Sequence, residues 1–163
     1  MTKSDQIIHT FSIYEIKRTT YKPYDFRWTN FYEHNSDFLQ RYPGIQLDIA
    51  EDELIICSTF IDADNHSLLT TRRVFTKEKG IEDIAYMEAA KSYSMPLNYK
   101  FEKFGYVFGT VELQNGNVFR YFLETGKAAM VMVYGIKTLI WSQQLTDAQM
   151  INLMRLWDKR SKS

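Results

Sequence analysis

The chain has 163 residues, of which 45% are hydrophobic and 25% are charged. These proportions are typical of a folded domain and argue against disorder, and the length predicts a single domain over residues 1–163. Twenty basic residues balance twenty acidic ones, which argues against the strong global charge of a nucleic-acid-binding protein or of a nucleic-acid mimic.

Cysteine usage and hydropathy predict a cytoplasmic protein. Cys57 is the only cysteine, so no internal disulfide can form, and a reducing compartment fits. No stretch reaches the ~18 apolar residues that a membrane helix needs, and the first residues lack the apolar core of a signal peptide. Cys57 lies in the apolar run 54–57 without a neighbouring base, so we predict a buried side chain rather than a nucleophile.

Residues 6–21 carry apolar side chains at alternating positions, and the alternation changes phase near Ile13. This pattern predicts a long strand with a bulge. On such a strand Glu15 and Lys17 share one face. With Asp5 upstream they suggest the cation site of a metal-dependent hydrolase or nuclease, although the simpler interpretation is a solvated strand face.

An aromatic segment follows a predicted turn at residues 22–25. Residues 26–33 alternate and predict a second strand, within a chain whose aromatic content is 15%. Three interpretations are open for this segment: a core strand, a protein interface, or a surface that stacks nucleic acid or a small ligand. The aromatic side chains that share one parity are Tyr24, Phe26, Trp28 and Tyr32.

A short helical turn is predicted over residues 35–41, and a short strand over residues 45–49. The densest acidic cluster comes next and includes Glu51, Asp52 and Glu53. Such a run is either a solvated turn or a patch that meets a basic partner and speeds association. We therefore predict partner binding by these three carboxylates together with Tyr24, Phe26, Trp28 and Tyr32.

Residues 53–61 and 68–76 predict a hairpin whose loop, residues 62–66, is rich in turn formers. The loop begins like a calcium-binding loop, but Ser67 stands where glycine is required and Arg73 where a bidentate glutamate is required. We therefore predict a hairpin tip without calcium. A helix is predicted over residues 81–94.

The C-terminal part predicts a four-strand meander. Strands at 104–113 and 118–124 flank an Asn-Gly turn, and apolar runs at 128–134 and 136–142 predict two more. The fold prediction is thus α+β, with a curved antiparallel sheet of about seven or eight strands packed by two main helices.

The second main helix is predicted to begin after Thr146, which can form a capping box with Gln149. An apolar stripe of Met150, Leu153, Met154 and Trp157 is predicted to pack into the core, across one face of the meander.

Catalytic and cofactor motifs are not recognisable in the sequence. The glycines do not cluster into a phosphate-binding loop, and one cysteine with three distant histidines gives no zinc spacing. We therefore predict no cofactor, no metal and no catalytic residues. The favoured function is a non-enzymatic protein-binding domain, such as an inhibitor or a toxin-neutralising immunity protein. The alternatives are a carrier or sensor of a small apolar ligand and, third, the metal-dependent hydrolase. We do not expect a membrane or nucleic-acid partner.

Overall fold

The computed structural model describes residues 4–96 and 105–161. These residues form an α+β fold with eight strands in two antiparallel sheets. The helices are α1 (Asp5–Thr19), α2 (Asn35–Arg41), α3 (Ala129–Ser142) and α4 (Asp147–Ser161). The strands are β1 (Thr29–Phe31), β2 (Ile55–Asp62), β3 (Asn65–Thr70), β4 (Arg73–Glu78), β5 (Ile81–Tyr86), β6 (Ala90–Ser94), β7 (Tyr106–Leu113) and β8 (Val118–Glu124).

The strands make two sheets rather than the single predicted one. The larger sheet has the order β1-β2-β3-β4-β5 and the smaller one β6-β7-β8. The outer edge of β8 meets the larger sheet, where the Phe122 N–H donates to Ser67 Oγ at 2.8 Å. Ser67 Oγ also lies 2.9 Å from Thr76 Oγ1, so a buried hydroxyl pair satisfies one N–H group of this strand edge.

The larger sheet is covered on both faces. Leu69 belongs to the main core, which also contains side chains of α1, α3 and α4. Its neighbour Leu68 belongs to a second cluster with Tyr32, Phe38 and Ile55. Successive strand residues point to opposite faces. The second face is therefore covered by α2 and by the loop that follows it.

The predicted strand over residues 6–21 is wrong, because this segment forms α1. Its most deeply buried side chains follow helical spacing, and two of them are polar, which hid the period. These positions, each with an exposure of 1% or less, are Phe11, Ser12, Glu15 and Ile16. Acidic and basic residues also lie at the N-terminal and C-terminal turns respectively, where they complement the helix dipole.

The two predicted strands over residues 128–134 and 136–142 are also wrong, because both belong to α3. A run that is apolar on both parities fits a buried strand, but it equally fits a helix buried on nearly all sides. Gly135 was expected to break the run. It instead lies inside the helix, where a Cβ would be 2.7 Å from Leu69 Cδ2 and 3.1 Å from Cys57 Sγ.

The predicted helix over residues 81–94 is replaced by β5, a single 3-10 turn (Met87–Ala89) and β6. Lys79 and Gly80 have positive φ angles of 51° and 80°, and they turn the chain back so that β5 pairs along β4. This pairing overrides the weak helical pattern of the segment, since strand formation depends strongly on the neighbouring strand.

Elements with strong local signals are confirmed. The hairpin of β2 and β3 turns within the predicted loop, although its second strand is interrupted after Thr70. The β7–β8 hairpin turns at the Asn-Gly pair, where Gly116 has a φ of 88°. The start of the predicted strand at Phe104 lies outside the described residues. The segment 45–49 forms no strand.

Both hydrogen bonds of the predicted capping box at the start of α4 are present. The Thr146 N–H donates to Gln149 Oε1 at 2.8 Å, and the Gln149 N–H donates to Thr146 Oγ1 at 3.2 Å. The apolar stripe faces the core as predicted, with Met150 and Trp157 buried and Leu153 and Met154 partly buried. It packs on α1 instead of on a meander, and the Trp157 and Phe11 rings stack at 5.5 Å.

Gly109 provides a test of the smaller sheet. A Cβ at this position would clash with the ring and hydroxyl of the fully buried Tyr121, its cross-strand partner. We expect Gly109→Ala to lower the free energy of unfolding by about 1–3 kcal/mol, the usual cost of overpacking. The measurement is denaturant unfolding followed by circular dichroism.

Gly44→Ala is the matched control, since a Cβ there meets nothing within 4 Å. Its stability should stay within about 0.5 kcal/mol of the unsubstituted chain. Equal effects of the two substitutions would contradict the packing described for Tyr121.

Candidate functional site

An open groove of about 1590 Å³ runs along the outer side of α1. Its floor is formed by α1 residues, and its walls come from five other segments of the chain. These segments contribute residues 33–35, residues 51, 52 and 54, residues 71 and 72, Tyr86 with Glu88, and Gln143. The acidic run that was singled out in the sequence therefore borders this groove.

The charges that line the groove are mainly negative. Five carboxylates and two cations contribute, which leaves a net charge of −3 with neutral histidines. The carboxylates are Asp5, Glu33, Glu51, Asp52 and Glu88, and the cations are Lys17 and Arg72. A concave surface lined by one sign of charge concentrates its field and attracts oppositely charged partners.

Both cations are already paired within the groove. Lys17 Nζ lies 2.6 Å from Glu33 Oε1, and Arg72 Nη2 lies 2.7 Å from Asp5 Oδ2. The Thr71 hydroxyl donates to Asp5 Oδ1 at 2.6 Å. Burial alone would raise the pKa of Asp5, but the hydrogen bonds from Arg72 and Thr71 outweigh it and hold this pKa below its usual value.

The excess negative charge lies on three other side chains. Among residues 4–96 and 105–161, no cation is within ion-pair distance of Glu51, Asp52 or Glu88. All three residues are exposed. They are consequently available to a cationic group that enters the groove from solvent.

His9 holds the floor of the groove in place. Its Nε2 lies 2.9 Å from the Tyr32 carbonyl oxygen and 3.0 Å from the Ile55 carbonyl oxygen. Because both partners are acceptors, Nε2 carries the proton and donates to them. This buried contact ties α1 to the start of β2. No pattern in the sequence predicts this contact, because the partners are backbone groups distant along the chain.

Glu53 anchors the loop that carries the exposed acidic pair. Its side chain is buried, with 1% exposure, and Arg73 Nη2 donates to Oε1 at 2.7 Å. The Ala50 N–H donates to the same oxygen at 3.1 Å, and the Thr70 hydroxyl donates to Oε2. The structure thus places Glu53 inside the protein, where it fixes the loop instead of presenting a charge to a partner.

The electrostatics of Glu53 follow from these contacts. Burial alone would raise its pKa, but the hydrogen bonds from Arg73 and Thr70 outweigh burial and hold the pKa below its usual value. The carboxylate is therefore ionised in the folded protein at neutral pH. Glu51 and Asp52, its neighbours, stay exposed on the rim of the groove.

The aromatic residues singled out in the sequence divide between core and surface. Tyr32 is buried, and its hydroxyl lies 2.7 Å from Ser58 Oγ, so it belongs to the core. Tyr24 and Phe26 are half-buried and line a small cleft of about 180 Å³. This cleft and the groove share no lining residue. The two halves of the predicted partner-binding set are therefore not brought together in one site.

A second buried carboxylate fixes the aromatic segment. Glu124 accepts the N–H groups of Arg27 at 2.9 Å and Trp28 at 2.7 Å, and the Thr29 hydroxyl at 2.9 Å. The guanidinium carbon of Arg27 lies 4.5 Å from the centre of the Trp28 ring. Trp28 also meets Tyr106 edge-on at 6.0 Å. Glu124 is a structural residue that the sequence did not single out.

The structure separates Glu15 and Lys17, the pair considered for a hydrolase. Arg18 binds the buried Glu15 carboxylate through two hydrogen bonds of 2.9 Å, whereas Lys17 reaches Glu33. Cys57 is fully buried as predicted, and burial raises its pKa far above the ordinary value. Within the described part of the chain, no group of three or more metal-ligating side chains converges.

No helix of the described segments combines the length and apolar character required to cross a bilayer. No protein-family model matches this chain, and comparison with curated proteins and with solved structures finds no significant match.

The pH dependence of stability tests the role of Glu53. Because its folded-state pKa is lowered from the ordinary value of 4.5, its contribution is complete above that value and is lost as the pH falls through the folded-state pKa. We expect Glu53→Gln to destabilise the protein at neutral pH by about 2 kcal/mol, since hydrogen bonds to charged groups contribute roughly 1.5–3 kcal/mol. The variant should also lose stability less steeply on acidification in denaturant unfolding.

The matched control is Glu51→Gln, which removes an exposed carboxylate two residues away. Its stability and acid dependence should match the unsubstituted chain. A steep acid loss that survives in Glu53→Gln would assign the pH dependence to other groups.

Proposed function

We propose that this chain is a non-enzymatic cytoplasmic protein-binding domain, in the class of inhibitors and toxin-neutralising immunity proteins, whose groove along α1 receives a basic surface of its partner. The observation that carries the proposal is the net charge of −3 in a groove of about 1590 Å³. Complementary charge of this kind steers association and selects partners by sign.

The size of the groove favours a macromolecular partner. Pockets for small molecules typically enclose about 300–1,000 Å³ and are mainly apolar. This groove is larger and open, and its rim carries exposed carboxylates at Glu51, Asp52 and Glu88. The loop with the first two is fixed by Glu53, so the charges are held in place before a partner arrives, which lowers the entropic cost of binding.

The carrier of a small apolar ligand receives less support. Two register shifts in β2 favour the curved sheet that this function assumes. However, the cleft between Tyr24, Phe26 and Phe31 encloses only about 180 Å³, below the usual range of roughly 300–1,000 Å³. Native mass spectrometry of the purified protein distinguishes the two functions, since a carrier retains a bound small molecule.

Charge reversal in the groove tests the proposal directly. We expect the double variant Glu51→Lys with Asp52→Lys to bind a fluorescent octalysine peptide at least tenfold more weakly than the unsubstituted chain. The reason is that two of the three carboxylates without an ion pair become cations. The measurement is fluorescence anisotropy at low ionic strength, where exposed charges are least screened.

The control double variant, Asp25→Lys with Asp64→Lys, changes the net charge equally at two exposed positions outside the groove. It should bind octalysine within threefold of the unsubstituted chain. Equal weakening by both double variants would reduce the effect to net charge and would remove the groove as the site.

A further inference from the structure

The strand β5 forms one edge of the larger sheet, and within residues 4–96 and 105–161 no strand pairs with its outer side. The Met87 N–H donates to the Arg72 carbonyl at 2.8 Å, which fixes the hydrogen-bonding phase of β4 and β5. In an antiparallel pair, residues alternate between facing the partner strand and facing away. The N–H and C=O groups of Glu82, Ile84 and Tyr86 consequently point away from β4.

Exposed apolar side chains accompany this open edge. The exposed fractions are 74% for Ile81, 44% for Ile84 and 53% for Tyr86. An edge strand with large exposed apolar groups readily pairs with another chain, and folded proteins usually guard such edges with charge or proline. On β5 there is no proline, and the charged side chains are the acidic Glu82 and Asp83; one carboxylate oxygen of Asp83 accepts the Ile84 N–H at 2.9 Å.

The edge leads into the acidic groove. Tyr86, the last residue of β5, lines the groove, and so does Glu88 two residues later. Glu82 and Asp83 add two exposed carboxylates along the strand itself. A chain that pairs with β5 therefore passes three acidic side chains, those of Glu82, Asp83 and Glu88, and it continues toward the partner site described above.

We propose that the β5 edge accepts an extended, basic segment of the partner by strand addition. This inference rests on the proposed function, because it assigns a mode of binding to the same groove. Main-chain hydrogen bonds from Ile84 and Tyr86 supply affinity in this mode, and alternate side chains of the added strand supply specificity. The carboxylates along the edge select lysine and arginine in that segment.

The test uses a synthetic decapeptide of alternating valine and lysine and two substitutions at one position. Ile84→Pro removes the outward N–H without removing a hydrogen bond to β4, and proline is tolerated at edge strands. Ile84→Ala keeps the N–H and shortens the side chain. We expect proline to weaken peptide binding at least tenfold and alanine to weaken it less than threefold, measured by calorimetry.

Amide hydrogen exchange of the unsubstituted chain gives a second readout that does not depend on a variant folding. The peptide should slow exchange at Ile84 and Tyr86. Equal affinities of the proline and alanine variants, no slowing at these amides, or no binding of the peptide by the unsubstituted chain would each overturn strand addition. A dimer of the unsubstituted chain that Ile84→Pro converts to a monomer in sedimentation would make a second copy the occupant, which also overturns the proposal.

The two proposals fail differently. If Glu51→Lys with Asp52→Lys abolishes octalysine binding while Ile84→Pro leaves the decapeptide unaffected, strand addition is wrong and the groove stands. If Ile84→Pro weakens the decapeptide while the groove variant binds octalysine normally, the groove is wrong and the edge stands.

Discussion

The close packing of α3 against the larger sheet is the contact on which the other elements depend. Gly135 permits it, because a Cβ there would press on Leu69 and Cys57. The helix is buried on most sides and forms a layer between the sheet and α1. The Thr138 hydroxyl of α3 donates to Ser12 Oγ of α1 at 2.8 Å in this interior. A buried hydrogen bond therefore joins α1 to α3 in addition to their apolar contacts. The groove exists because the outer side of α1 is left facing solvent.

Two buried carboxylates each fix a nearby segment of the chain through hydrogen bonds. Glu53 holds the loop with Glu51 and Asp52, and Glu124 holds the segment with Trp28. Each takes several hydrogen bonds, which offset the cost of removing a charge from water. The buried Glu53 and Glu124 thus stabilise the conformation of the chain, whereas the neighbouring Glu51 and Asp52 stay exposed to solvent.

Local chemistry was sufficient to predict α4 and the β7–β8 hairpin, because the helix cap and the turn each depend on a few residues that are adjacent in the sequence. It failed for α1, where buried Ser12 and Glu15 interrupt the apolar period, and for α3, where a wholly apolar run fits a strand or a helix equally well. The acidic run that borders the groove could be singled out from its density in the sequence. Glu88 and His9 were missed because their place in the site depends on contacts between distant segments.

The central claim is that the acidic groove along α1 is where this domain binds its partner. Backbone amide chemical shifts of the labelled protein, recorded during titration with octalysine, test that claim most directly. The account predicts that the largest shift changes fall at residues 51–54 and along the outer side of α1. Changes concentrated instead at Trp28 and Tyr106 would contradict it and would move the binding site to the aromatic surface.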